Sequence, residues 1–145
     1  LILLSDHGMV DVKGEINLNK IMVEDEIRFV DSTILRVWGA TNHIIRNRNI
    51  TLYDSATIPN AKFKYYKKYL AKPGYIFFPN FFQGNKSIKG MHGYDSTNSP
   101  HDAFVLIHQS QKRNNVNCSI IDIAPTILKI FKLNPSSNMK GVSLI

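Results

Sequence analysis

The chain has 145 residues, 43% of them hydrophobic and 20% charged, with a net charge of +7. This is the length and composition of one ordinary globular domain with a core of its own, and no apolar run reaches the roughly 18–20 residues a membrane span needs. Cys118 is the only cysteine, which excludes an internal disulfide and any cysteine-rich metal site.

Residues 1–5 are apolar up to Ser5. Such a run reads as a buried strand of a parallel sheet covered on both faces. Asp6, His7 and Gly8 follow at once. Ligands of open α/β sheets sit beyond the carboxyl ends of strands, so a carboxylate and an imidazole, the donors suited to zinc and similar ions, are expected at the mouth of the sheet. A core strand at residue 1 has nothing before it to pair with, so the chain reads as the second part of a larger fold.

Residues 6–16 are a glycine-containing loop, and Ile16–Met22 a short helical turn with Leu18, Ile21 and Met22 on one face. Arg28–Val30 and Ile34–Trp38 alternate as two strands joined at Asp31-Ser32. Residues 41–49 are polar and basic without a period, and Ile50–Tyr53 is a short strand. Pro59 opens an expected helix over Asn60–Leu70, with Phe63, Tyr66 and Leu70 at helical spacing and Lys72-Pro73-Gly74 as its stop. This stretch interleaves Lys62, Lys64, Lys67 and Lys68 with aromatics. Interleaving of that kind can stack bases, but a helix with a solvated lysine face is the preferred reading, and nucleic acid is not the expected partner.

Tyr75–Phe78 reads as an apolar strand ended by Pro79, and residues 79–102 as a long loop containing Gly90-Met91-His92-Gly93-Tyr94-Asp95. Ala103–Ile107 is a second core strand, and 109–117 a polar connection. Asp122 as N-cap and Pro125 in the first turn start a helix over Ile123–Phe131, with Ile123, Ile127, Ile130 and Phe131 as its buried stripe. Asn134-Pro135 ends it, and Met139–Ile145 lies back on the body. Alternating strands and helices give an α/β class in a single unit, 1–145, without internal repeats. Three glycosylation triplets, at Asn49, Asn85 and Asn117, are chance occurrences in an Asn-rich chain.

The chemistry concentrates in two loops, one bearing Asp6 and His7, the other His92. On spacing alone, these three are either parts of one or two metal sites or loop residues satisfied by hydrogen bonds. Ser5-Asp6-His7-Gly8-Met9 after an apolar strand, with His92-Gly93-Tyr94-Asp95 far downstream, resembles the nucleotide pyrophosphatase/phosphodiesterase family of the alkaline phosphatase superfamily. Val30-Asp31 with Ile34–Trp38, Tyr53 through Ile58-Pro59, Lys72–Ile76 and Asp122–Leu128 extend the resemblance along the chain. Gln109-Ser110-Gln111-Lys112 departs from the family's usual Gly-Pro turn.

The resemblance implies the C-terminal half of an alkaline-phosphatase-like three-layer α/β/α sandwich. It implies two divalent ions, zinc by preference, with Asp6 and His7 on the ion that holds the nucleophile and His92 on the other. It implies hydrolysis of phosphodiester or pyrophosphate bonds in nucleotide or related small-molecule phosphate esters. In that family a hydroxyl attacks phosphorus, an alcohol or nucleotide leaves, and water releases the second product. The nucleophile and the remaining ligands are expected upstream of Leu1, so residues 1–145 alone are expected to be inactive and to expose an apolar patch able to drive self-association. His43 and His101 are expected on the surface, and His108 receives no ligand role. The alternatives are a phosphonate hydrolase, phosphomutase or sulfatase-like enzyme of the same superfamily, or a non-catalytic basic module binding nucleic acid or protein.

Overall fold

The computed structural model describes residues 1–83, 85–86, 88–98, 102–108 and 117–145. His101, Ser87 of the second glycosylation triplet, and the Gln109–Lys112 departure lie outside them. The chain divides into two units, Leu1–Ile107 and His108–Ile145.

The first unit is built from strands: β1 (Ile2–Leu4), β2 (Val10–Asp11), β3 (Gly14–Asn17), β4 (Glu26–Asp31), β5 (Ile34–Gly39), β6 (Ile50–Thr57), β7 (Tyr65–Ala71), β8 (Tyr75–Phe78), β9 (Gly90–Met91) and β10 (Val105–Ile107). They form three two-stranded pairs, β1–β10, β2–β9 and β3–β8, and one four-stranded sheet in the order β4-β5-β7-β6. The expected α/β class and the three-layer α/β/α sandwich are therefore incorrect. The described residues form mainly β-strands in small sheets, with one short α-helix, located in the second unit.

The error has a local source in residues 60–70. Phe63, Tyr66 and Leu70 mimic a helical period, but Tyr65–Ala71 is a strand, paired antiparallel with β5 on one side and β6 on the other. Its inner face carries Lys67, Tyr69 and Ala71, all buried and spaced by two. Tyr69 lies opposite Leu35, and Lys67 opposite Val37. Aromatic residues favour a half-buried pleated surface, and pairing on both sides outweighs a three-residue periodic coincidence.

The β4–β5 hairpin matches the expected strand pair in place and type. β6 runs four residues past the expected end at Tyr53, through an irregularity between Leu52 and Asp54. The expected Ile16–Met22 turn begins as strand β3 and becomes a 3-10 turn over Leu18–Lys20, where the Asn17 side chain accepts from the Asn19 amide. β8 pairs parallel with β3, Ile16 opposite Phe77, and ends at a cis Phe78–Pro79 bond. The core joins this pair to the inner face of the four-stranded sheet: Ile16, Leu18, Val30, Leu35, Val37, Tyr69 and Phe77 pack together.

β1 differs from the expected covered core strand. It pairs antiparallel with β10, Leu3 opposite Leu106, and both residues are 53% exposed. A run of apolar residues specifies a strand without specifying what covers it.

In the second unit, α1 (Ile123–Ile130) lies where expected, but its buried residues are Pro125 and Thr126, while Phe131 is 70% exposed. The expected isoleucine stripe is incorrect. The tail approaches the helix through polar contacts: the Leu144 amide donates to Thr126 Oγ1, and Lys129 Nζ donates to the Ile145 carbonyl. Asp122 makes no side-chain cap bond to the helix. Its carboxylate accepts from the Val142 and Ser119 amides, which hold it below the usual carboxylate range. At Gly141 a Cβ would fall 2.0 Å from the Ile121 carbonyl oxygen, so the backbones meet there without room for a side chain.

Candidate metal centre

The β2–β9 ladder, Val10 opposite Met91 and Asp11 opposite Gly90, joins the two loops singled out by their residues. The Val12 amide donates to the Lys89 carbonyl and extends the ladder. Asp6 and His7 precede β2, and His92 follows β9 directly, so antiparallel pairing puts the two histidines at the same end. Their rings stack, with centroids 3.9 Å apart and planes inclined by 16°.

Three contacts set the chemistry of His7. Its amide donates to Asp6 Oδ1 at 3.0 Å. Its Nδ1 lies 2.9 Å from the Gly8 carbonyl oxygen, a partner that can only accept, so Nδ1 carries the proton. Nε2 is then the ring nitrogen left to face a metal, the arrangement usual for a metal-binding histidine whose other nitrogen donates to a carbonyl. Nε2 is 3.3 Å from Asp6 Oδ2. A lone pair and a carboxylate oxygen at that distance repel unless a cation or a proton on Nε2 lies between them. Two donors each about 2.0–2.1 Å from a tetrahedral zinc are separated by about 3.3–3.4 Å, so the Asp6–His7 spacing fits two ligands of one ion. Both side chains reach solvent, as a site open to substrate requires.

Ring nitrogens offer their lone pairs in the ring plane, and two rings inclined by only 16° with centroids 3.9 Å apart do not aim those lone pairs at one point, so the stack does not add His92 to the Asp6–His7 pair. Among the described residues, no group of three or more His, Cys, Asp or Glu is placed to hold a single ion.

Other residues of the two motifs serve the scaffold. Asp95 accepts from the Thr97 amide and hydroxyl, which lower its pKa. Tyr94 is buried in the core, and burial raises its hydroxyl pKa, partly offset by the Gly74 amide. His43 is half-buried, its Nδ1 3.6 Å from Glu26 Oε1, and His108 is exposed. Thr33 carried no signal in the sequence, being one hydroxyl in a hairpin turn, yet it donates to the Gly93 carbonyl at 2.7 Å.

The basic aromatic segment is not a helix with a solvated lysine face. Lys67 is buried on β7, and burial lowers its pKa against the opposing effect of Glu26. Lys68 Nζ lies 4.5 Å from the centre of the Tyr53 ring, and Lys64 and Lys67 lie over Tyr65. These ammonium groups sit on the faces a stacked base would use. No helix among the described residues is long and apolar enough to cross a membrane.

Comparison with protein-family models, with curated proteins and with solved structures gives no match to this chain.

Proposed function

We propose that Asp6 and His7 hold one divalent ion and His92 a second, with zinc the best suited, and that the protein hydrolyses phosphodiester or pyrophosphate bonds in nucleotides or related esters. The observation that carries this reading is the His7–His92 stack with Asp6 3.3 Å from His7 Nε2. Two dications would supply charge neutralisation of the phosphate and stabilisation of the leaving oxygen. The chain's own residues prepare the ligands: the Gly8 carbonyl selects the His7 tautomer, the Asp6 carboxylate sits beside Nε2, and the β2–β9 ladder aligns the second imidazole. The motif resemblance supports the same reaction class, and the net charge of +7 favours an anionic ester. No residue of this chain is assigned as the nucleophile.

Asp6→Ala tests the reading in the full-length protein. It is expected to lower zinc content and to slow hydrolysis of a phosphodiester by about 100-fold or more, the scale of losing one electrostatic stabiliser. Unchanged hydrolysis, or a wild-type protein that binds no divalent ion, rejects the proposal.

A further inference from the structure

Hairpin turns normally lie in water, but the β4–β5 turn does not: Ser32 is 0% and Thr33 3% exposed. Its carbonyls are taken by neighbouring strands. The Phe77 amide donates to the Ser32 carbonyl at 2.7 Å, and the Ala71 amide to the Thr33 carbonyl at 2.9 Å. With its backbone fixed from β7 and β8, the turn presents the Thr33 hydroxyl to the loop after β9, where it donates to the carbonyl of Gly93.

Gly93 follows His92 and has φ +80, a conformation that favours glycine. A Cβ there would stand 3.3 Å from Thr33 Oγ1, so the turn and the loop meet closely. On its other side His92 is held by Met91, paired with Val10. The backbone around the imidazole is thus held by the β9 ladder on one side and, on the other, by the Thr33 hydroxyl at Gly93 and the buried Tyr94. Of these, the Thr33 bond is the side-chain contact to the residue that directly follows His92.

We infer that Thr33 is a positioning residue: through the Gly93 carbonyl it holds the His92 imidazole in its stack against His7. The inference rests on the two-ion reading for its functional meaning, but the stack itself can be observed without metal. Thr33→Val keeps the shape and removes the donor. Thr33→Ser keeps the donor. Gly93→Ala keeps the hydroxyl but crowds it at a backbone angle that disfavours alanine.

The test is proton NMR of the histidine Hε1 resonances in metal-free protein, followed by zinc titration. Stacked rings shift each other's protons. Thr33→Val and Gly93→Ala are expected to move the His7 and His92 resonances towards free-imidazole positions, with Thr33→Ser retaining the wild-type shifts and core methyl resonances such as those of Leu35 unchanged in all three. On zinc titration, Thr33→Val is expected to weaken the His92 ion by about 10–100-fold, the usual effect of losing an orienting partner, with the Asp6–His7 ion unaffected. Wild-type shifts in Thr33→Val, or a Thr33→Ser variant that behaves like Thr33→Val, overturn the inference. Resonances that respond as expected in a protein that binds no zinc support the positioning role and reject the two-ion reading.

Discussion

Phe77→Ala is expected to cost the first unit about 3–5 kcal/mol of stability, the usual range for removing a buried aromatic ring. Phe77 is fully buried. It faces Ile16 across the parallel β3–β8 pair and packs with Leu18, Val30, Leu35 and Tyr69. Parallel pairs depend on burial of both faces, and a two-stranded one has no further strands to share the loss. The Phe77 amide also anchors the Ser32 carbonyl, so the cavity opens beneath the turn that carries Thr33. Urea unfolding of the variant should show a lower midpoint with an unchanged slope. A loss below about 1 kcal/mol, the scale of a surface change, would mean that β3 and β8 are not packed on the four-stranded sheet.

The second large effect is alkaline. Burial raises the hydroxyl pKa values of Tyr69 and Tyr94. For Tyr69 the Ile45 amide opposes the shift and the Glu26 charge reinforces it. Both hydroxyls are neutral in folded and unfolded chain below the unfolded value of about 10, where their contribution is fully present. As pH rises past that value the unfolded chain ionises first, and stability falls until the folded pKa is passed. Lys67 acts in the opposite sense. Burial lowers its pKa, so between its folded value and about 10.5 the unfolded chain binds more protons and stability rises with pH. The Lys67 effect ends at about pH 10.5, where the unfolded chain also releases that proton, while the tyrosine effect runs above about 10, so the midpoint of urea unfolding should drop at the higher pH. The Tyr69→Phe, Tyr94→Phe double variant should lose most of that dependence, and an equally steep drop in it would assign the effect elsewhere.

Elements specified by local chemistry were legible from the residues. The β4–β5 hairpin alternates around Asp31-Ser32, the Tyr75–Phe78 strand ends at a proline, and the last helix starts with Pro125 in its first turn. What failed depended on distant partners. Residues 65–71 became a central strand because β5 and β6 flank it, and the mistaken helix carried the α/β assignment with it. Phe131 points to solvent although its spacing suits a buried stripe, because periodicity marks a face and cannot say that anything covers it. Asp6, His7 and His92 were visible as ligand-type residues. Their stacking depends on a pairing between residues 10 and 91. Thr33 was invisible because its partner is 60 residues away.

The β2–β9 ladder has a consequence for the order in which the protein assembles. It consists of two residue pairs and closes a loop that contains the whole four-stranded sheet. Closure entropy grows with loop length, and two pairs return little against it, so this ladder cannot form ahead of the strands it encloses. Folding the intervening sheet shortens the effective loop and carries β9 back to β2. The imidazole stack then forms after the four-stranded sheet and opens before it. In native-state hydrogen exchange the Val10 and Met91 amides should exchange through local opening, far below the free energy that protects Leu35 and Tyr69; equal protection at both places would show the stack to be part of the cooperative core.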